Sequence, residues 1–223
     1  MFSRNLKNAR ALAEKINVLY TDCISEINKE ADLYVISVAD CAVSDLISLL
    51  NVGKSIVVHT SGSLDINLLN RFPDHGVFYP LQTFSINKPV EFKNIPLLIE
   101  ANSDDITETL KQFACLFSTK VYMTSSEQRQ NIHMAAVFAN NFTNYMYTIA
   151  DEILSHSQIS FDILKPLINE TAKKINDERP SCVQTGPASR NDKEIINSHL
   201  HLLNNFPDYK EIYTLLTLSL IHI

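Results

Sequence analysis

Short apolar runs alternate with amphipathic segments along the first 123 residues of the chain. The runs are rich in Val, Ile and Leu and end in polar residues, a pattern typical of strands buried on both faces. Strands are therefore predicted at residues 31–38, 54–60, 76–83, 96–100 and 120–123, with a further candidate at 18–20, and helices at residues 6–16, 43–50, 65–69 and 104–117. This alternation predicts βαβ units and a mostly parallel sheet.

The pattern changes after Met123. Residues 127–155 read as one long helix without Gly or Pro, and Ser160 is a suitable cap for a second helix that ends near residue 175. A polar loop at 176–191 precedes two further helical segments at 192–204 and 207–223. We therefore expect the chain to divide near residue 124 into an α/β domain (1–124) and an all-α domain (125–223).

The composition of the chain argues against several classes of binding partner. The net charge of −6 and the scattered Lys and Arg residues argue against binding to nucleic acid. The four cysteines form no C-x-x-C pair, so no metal site is predicted. The amino-terminal residues lack the apolar core of a signal peptide, and the apolar stretch 213–223 is shorter than the about 20 residues that span a bilayer. We expect a cytoplasmic protein that does not bind membranes and uses this stretch as a packed helix end or a subunit contact.

Polar residues follow several predicted strands. Ser37 and Asp40 follow the first of them, residues 59–62 (His-Thr-Ser-Gly) follow the next, and Gln82 and Thr83 follow the third. In open α/β sheets, ligands bind outside the carboxyl ends of the strands. Each residue alone is also a normal turn or helix cap, but their repetition favours a site.

The segment Ser3-Arg4-Asn5 lies where a short strand at Met1–Phe2 would meet the first helix. In dinucleotide-binding folds, the end of the second strand contacts the adenosine ribose, and an arginine there accommodates a 2′-phosphate. This reading favours NADP over NAD. The alternative is a solvated arginine near the terminus.

Polar residues also interrupt the long predicted helix of the second domain. Arg129, His133 and Asn140 share one face by α-helical counting, and Asn141 lies beside it. They could face a cleft, or they could form a buried hydrogen-bond network between helices. The loop 184–192 (QTGPASRND) offers Arg190 as a substrate or subunit contact, whereas its Asp192 could simply cap the next helix.

Six motifs together resemble a known family. They are SRN, VISVAD, VVHTSGS, YPLQTF, RQNIHMAAVFANNFTNYMY and QTGPASRND, in this order along the chain. They look like those of Rossmann-like NADP oxidoreductases whose C-terminal helical domain, of unknown function, belongs to the 6-phosphogluconate-dehydrogenase-like superfamily. Pyrroline-5-carboxylate reductase and the deazaflavin-dependent NADP oxidoreductases are more distant relatives.

The resemblance implies an NADP-binding domain, a helical domain that forms a homodimer, and a cleft for a small-molecule substrate. It places the cofactor against residues Ser3, Arg4, Asn5, Val38, Ala39, Asp40, Thr60, Ser61 and Gly62. His133, Asn141 and Arg190 would face the substrate, although the lysine usual in the superfamily is absent from this helix.

The sequence departs from the family at its front. Its four glycines, Gly53, Gly62, Gly76 and Gly186, form no G-x-G-x-x-G loop, and the first strand of the family, which leads into that loop, is not found before the SRN segment. The missing strand is central in the usual order, so its loss would open two sheet edges. The chain could be a truncated enzyme, a degenerate protein that keeps a dimer scaffold, or a fold in which another strand fills the gap.

These observations predict a truncated Rossmann-type parallel sheet followed by an all-α domain. The expected function is an NADP-dependent oxidoreductase of a small carbonyl or imine compound, impaired in cofactor binding because the phosphate loop is absent. The alternative is a non-catalytic dimeric scaffold or regulatory protein.

Overall fold

The computed structural model describes residues 1–85 and 88–220 and contains two compact units. The first unit ends at Ala139 and the second begins at Asn140. This division lies later in the chain than residue 124, because the helix that follows the last strand belongs to the first unit.

A five-stranded sheet forms the centre of the first unit, with its strands in sequence order. The strands are β1 (Leu33–Ile36), β2 (Ile56–His59), β3 (His75–Pro80), β4 (Leu97–Ala101) and β5 (Val121–Met123). β1, β2 and β3 are parallel, whereas β4 is antiparallel to β3, and β5 is parallel to β4. Three of the four strand pairings are parallel, so the prediction of a mostly parallel sheet is confirmed, and the antiparallel pairing of β3 with β4 makes the sheet mixed.

The connection between β3 and β4 is compatible with the reversed direction of β4. Parallel neighbours need a crossover connection, which is usually a helix. Among the described residues of this connection, the helical part is one 3₁₀ turn, Phe92–Asn94, and the strand returns beside its predecessor. The helices of the first compact unit are α1 (Leu6–Ile16), α2 (Asp40–Leu49), α3 (Asp104–Cys115) and α4 (Ser126–Ala136). Helix α3 joins β4 to β5, as expected for two parallel strands.

Side-chain caps fix the starts of three of these helices. The Asn5 carboxamide accepts hydrogen bonds from the N–H groups of Lys7 and Asn8 at the start of α1. Ser103 caps α3, and Ser125 forms a reciprocal capping box with Gln128 at the start of α4. Such caps satisfy N–H groups that lack a partner within the helix.

The core lies on both faces of the sheet, and β2 shows this most clearly. Val57 packs with residues from α2, including Val43 and Ile47, whereas Val58 packs with Leu110 of α3 on the opposite face. Consecutive residues of a strand point to opposite faces, so β2 must be apolar at both positions. The prediction that residues 54–60 contain a strand buried on both faces is confirmed.

The amino-terminal segment is not part of this sheet. Residues 18–20 were predicted as a strand, but the structure has only an isolated parallel bridge between Phe2 and Thr21. Two backbone hydrogen bonds support it, from Thr21 N–H to Met1 O and from Ser3 N–H to Thr21 O. Leu19 is 91% exposed, so this pairing buries little apolar surface.

β1 forms one edge of the sheet, since no strand among residues 1–85 and 88–220 pairs with its outer side. The explanation in which another strand fills the predicted gap is therefore wrong for the described residues.

Helices make up the second unit. Residues Val137–Phe142 form a π-helical segment that joins α4 to α5, so the long helix predicted over 127–155 is present and contains a π-helical stretch. The helices are α5 (Thr143–His156), α6 (Lys165–Asp177), α7 (Lys193–Leu202) and α8 (Pro207–Leu220). Ser160 caps a 3₁₀ turn that leads into α6, and residues 221–223 of the predicted last helix lie outside the described residues.

The fold is thus α/β, a Rossmann-type sheet followed by an all-helical part. Within the described ranges, no helix has both the length and the hydropathy needed to cross a membrane.

Candidate functional site

The carboxyl ends of β1 and β2 are joined by a short polar network. Asp40 is the first residue of α2, and its Oδ2 accepts a hydrogen bond of 2.9 Å from Ser61 Oγ. The same Ser61 oxygen accepts from the N–H groups of Ser63 and Leu64, at 3.0 and 3.1 Å. Thr60 N–H donates to Ile36 O at 3.1 Å. The loop after β2 is therefore held in one conformation beside the start of α2.

His59, the last residue of β2, points into the protein and is completely buried. Its Nδ1 accepts a hydrogen bond from Ser61 N–H at 3.2 Å, so Nε2 carries the proton. Burial, together with the positive charge of Arg129, lowers the pKa of His59 from 6.5 to about 4. The imidazole is therefore neutral at pH 7, and it holds the loop after β2 through the hydrogen bond from Ser61 N–H.

Arg129 of α4 is completely buried and fixes this helix to the sheet. Its guanidinium forms an ion pair with Glu100 of β4 and donates to the carbonyl oxygens of Ser61, at 3.2 Å, and Leu64. The Glu100 carboxylate also accepts from Ser126 N–H at 2.8 Å and from Ser126 Oγ at 2.9 Å.

This network explains the first residue of the polar face that was predicted on the long helix. Arg129 is buried, as one of the two alternatives required, but its partners are strands and loops instead of another helix. His133 is partly buried and Asn140 is exposed. Glu100 pairs with Val77 on the neighbouring strand, and Val77 pairs with His59 on the next. The side chains of Glu100, Val77 and His59 therefore lie in one row on one face of the sheet, and Glu100 meets Arg129 on that face.

His133 lies one turn after Arg129 and contacts the ends of β2 and β3. Its Nδ1 is 2.9 Å from the hydroxyl oxygen of Tyr79, in hydrogen-bond contact. A Cβ atom at Gly62 would lie 2.6 Å from His133 Nδ1 and 2.9 Å from Tyr79 Cζ. Glycine is therefore the only residue type that fits at position 62 without displacing a neighbouring side chain.

The predicted cofactor residues near the amino terminus have distinct environments. Asn5 uses its carboxamide to cap α1, and the Ser3 hydroxyl accepts from Asn5 N–H at 3.3 Å. Arg4 is exposed. Val38 and Ala39 are exposed between β1 and α2, beside Asp40. The structure thus brings Asp40, Thr60, Ser61, Gly62 and His133 together, whereas Ser3, Arg4 and Asn5 form a separate turn.

Two predicted substrate residues belong to the second unit. Asn141 is exposed and lies in the π-helical segment. Arg190 is exposed in the turn before Asp192, whose carboxylate caps α7 through Ile195 N–H at 3.2 Å. The alternative reading of Asp192 as a helix cap is confirmed.

Sequence reasoning missed Tyr79 and Glu100. Tyr79 lies inside a strand segment that was read as apolar, and no neighbour in sequence marks its partner. Glu100 gave a usable signal, because a carboxylate at the end of the run PLLIE must find a buried cation or lie at the surface. Arg129 was noticed on the helix but was not assigned a partner. Among the residues that the structure describes, no group of His, Cys, Asp and Glu could hold a metal ion.

The fold defines a protein of the Rossmann-type α/β class with a helical carboxyl-terminal unit. The family described as domain of unknown function DUF2520 matches residues 95–220, which is more than half of the chain. The protein therefore belongs to the DUF2520 family. No curated protein matches its sequence significantly.

Solved structures extend this result over the full chain. A protein from Bacteroides fragilis that carries the provisional name NADP oxidoreductase is 41% identical, with a TM-score of 0.94, covering 100% of this chain and 87% of its own. A protein from Thermotoga maritima is 23% identical, with a TM-score of 0.75, covering 98% and 87%. A 1-pyrroline-5-carboxylate reductase from Streptococcus pyogenes, 10% identical with a TM-score of 0.61 and coverages of 100% and 88%, shares the fold. The resemblance to Rossmann-like oxidoreductases with such a helical domain is confirmed.

Proposed function

We propose that this protein is an NADP-dependent oxidoreductase that reduces a small carbonyl or imine compound. The observation that carries the proposal is the cluster of Asp40, Ser61, Gly62 and His133 at the carboxyl ends of β1 and β2. Open α/β sheets hold their ligands at this edge. The name of the 41% identical Bacteroides fragilis protein supports the same class of reaction.

The turn at Ser3 and Arg4 fits the phosphorylated ribose of NADP. The exposed Arg4 guanidinium can pair with a phosphate through two parallel hydrogen bonds, and it lies next to the amino terminus of α1, where anions are favoured. The Ser3 hydroxyl accepts one bond and still has its proton to donate. Asn5 can contribute only its backbone, since its carboxamide is used by the helix cap.

The segments after β1 and β2 fit the other half of the cofactor. Ala39 caps α2 without a side-chain hydrogen bond, so N–H groups of the first turn can bind a polar ligand group. Val38, Thr60 and Ser61 complete this surface. Bound NADPH supplies the hydride, and His133 orients the substrate acceptor. For Asn141 and Arg190 we keep the sequence-based prediction of a substrate contact.

The pyrophosphate part of the cofactor has no matching residues in this sequence, because none of the four glycines belongs to a G-x-G-x-x-G loop. Such a loop lets the backbone N–H groups approach the phosphates closely. We therefore propose that these 223 residues alone bind NADP weakly.

Calorimetric titration with NADPH and NADH tests this assignment. In a chain extended at its amino end by a strand and a Gly-rich loop, we expect NADPH to bind about 10- to 100-fold more tightly than NADH, the size of one charged hydrogen-bonding contact. Arg4→Ala should abolish this preference and leave NADH binding unchanged. The control Lys7→Ala removes a nearby exposed cation from α1 and should keep the preference.

The same titration can contradict the proposal. Absence of NADPH binding in the extended chain would exclude the cofactor assignment and favour the alternative, a non-catalytic dimeric scaffold. If Arg4→Ala and Lys7→Ala lose the preference for NADPH over NADH equally, Arg4 contributes only its positive charge and makes no specific contact with the phosphate.

We also propose that the helical unit forms a homodimer. Its described hydrophobic residues with 9% exposure or less are Ile149, Ala188 and Leu203, whereas many larger ones are open to solvent. The most exposed of these are Ile163 (67%), Leu167 (63%), Leu202 (73%), Leu215 (67%) and Leu218 (56%). Soluble monomers seldom expose so much apolar surface, and a second copy of the same unit supplies a matching one.

Light scattering during gel filtration tests the homodimer. We expect the mass of two chains, and we expect the double variant Leu215→Glu/Leu218→Glu of α8 to elute as a monomer, because burying two carboxylates in an interface is unfavourable. Leu116→Glu is the control, since Leu116 is 78% exposed but lies in the first unit. A wild-type monomer, or equal dissociation by both variants, would contradict the proposed interface.

A further inference from the structure

The Tyr79–His133 contact has a geometry that restricts the imidazole. The two rings meet edge to face, with centroids 5.9 Å apart and planes inclined by 74°. The Tyr79 hydroxyl lies 2.9 Å from His133 Nδ1, and a Cβ at Gly62 would lie 2.6 Å from Nδ1 and 2.7 Å from Cγ. Gly62 and Tyr79 therefore close the Nδ1 edge of the ring to any ligand.

The opposite edge of the ring is available. His133 is only partly buried, and within residues 1–85 and 88–220 its Nε2 makes no hydrogen bond. Its neighbours Ser61 and Gly62 belong to the loop that bonds to Asp40 at the start of α2. Nε2 is thus the ring nitrogen that can meet a molecule at the strand ends.

The direction of the hydrogen bond follows from the strengths of the two donors and the two acceptors. Burial raises the pKa of Tyr79 above its usual value of 10, so the phenol keeps its single proton at neutral pH. If Tyr79 donates to Nδ1, the proton of an uncharged imidazole lies on Nε2. This direction is the stronger one, because a phenol O–H donates more strongly than an imidazole N–H, and an imidazole nitrogen accepts more strongly than a phenol oxygen.

We propose that Tyr79 is a positioning residue that donates to His133 Nδ1 and thereby holds the uncharged form of His133 in the tautomer with its proton on Nε2. This inference rests on the proposed function only for what Nε2–H meets. A fixed, neutral N–H donor complements a lone pair, so it selects a carbonyl oxygen or an unprotonated imine nitrogen. A protonated iminium has no lone pair to offer. His133 polarises the acceptor in this role, and water supplies the proton that the reduced product takes up, so no proton leaves the ring.

Nitrogen-15 NMR of the imidazoles tests the tautomer directly on the ligand-free chain. The variant His133→Gln identifies the signals of His133 among the seven histidines. We expect the uncharged imidazole of the wild type to have an unprotonated Nδ1 and a protonated Nε2. Tyr79→Phe keeps the ring but removes the hydroxyl, and it should shift the tautomer ratio about fivefold toward Nδ1–H, the size of one ordinary hydrogen bond.

The control is Tyr122→Phe, because Tyr122 is 50% exposed on β5 and should leave the His133 signals unchanged. A protonated Nδ1 in the uncharged imidazole of the wild type, or an unchanged ratio in Tyr79→Phe with native circular dichroism, would overturn the inference. A failure of NADPH binding would overturn the proposed function instead, and it would leave the tautomer measurement unaffected.

Discussion

Replacing Glu100 by Gln is expected to lower the free energy of unfolding by about 3–5 kcal/mol. The substitution keeps the shape of the side chain but removes the charge that faces the completely buried Arg129. A guanidinium left in the interior without a counter-charge is strongly unfavourable. Urea unfolding, followed by circular dichroism at pH 7, measures the difference between the variant and the wild type.

The exposed carboxylate of Glu108 provides the control. It pairs with Lys111 on the surface of α3, where both side chains are about half exposed, so Glu108→Gln should leave the urea midpoint unchanged. The double variant Glu100→Gln/Arg129→Met should be less destabilised than the sum of its single variants, because neither charge is then left alone. Equal midpoints for Glu100→Gln and Glu108→Gln would show that the buried ion pair does not hold α4 in place.

Replacing Gly62 by Ala is expected to destabilise the protein by about 1–3 kcal/mol and to separate His133 from Tyr79. The added methyl group would lie 2.6 Å from His133 Nδ1, well inside contact distance. The imidazole has little room to retreat, because Arg129 fixes the preceding turn of α4. Urea unfolding gives the free energy, and the nitrogen-15 signals of His133 report the loss of the Tyr79 hydrogen bond.

Gly53→Ala is the matched control for this change. A Cβ at Gly53 would have no heavy atom within 4 Å, so the same methyl group meets open space there. We expect unchanged His133 signals and a stability equal to or slightly above that of the wild type. If Gly62→Ala behaves like Gly53→Ala, the tight packing around His133 is not a constraint.

Local signals were sufficient to predict most of the elements. Ser160 and Asp192 were identified as candidate caps, and each accepts the expected backbone hydrogen bond. The run at residues 56–58 predicted a doubly buried strand, and Val57 and Val58 indeed pack on opposite faces. These features depend on neighbours in the sequence, where turn chemistry and hydrophobic periodicity act directly.

The direction of β4 depends on long-range pairing instead. The run PLLIE has the same pattern whether the strand is parallel or antiparallel to its neighbour, so periodicity alone could not reveal the reversal. The candidate strand at 18–20 failed for a similar reason: Leu19 has the β propensity of a strand, but it has no large sheet to join.

The candidate site was predicted in part. Strand-end polarity correctly brought Asp40 and Ser61 together, because the ends of parallel strands meet at one edge. The contacts of His133 with Tyr79 and of Arg129 with Glu100 join residues 54 and 29 positions apart in the sequence. Such pairs are set by how α4 lies on the sheet, which no local pattern specifies.

The π-helical segment Val137–Phe142 affects how this chain is aligned with its relatives. A π turn accommodates about one more residue than an α turn, so it has the geometry of a single-residue insertion within a helix. Alpha-helical counting from His133 therefore does not extend to Asn140 and Asn141. A relative with an uninterrupted helix aligns with this chain only if a one-residue gap is opened between residues 137 and 142. Without that gap, each role transferred to α5 would be assigned one position away from its true counterpart.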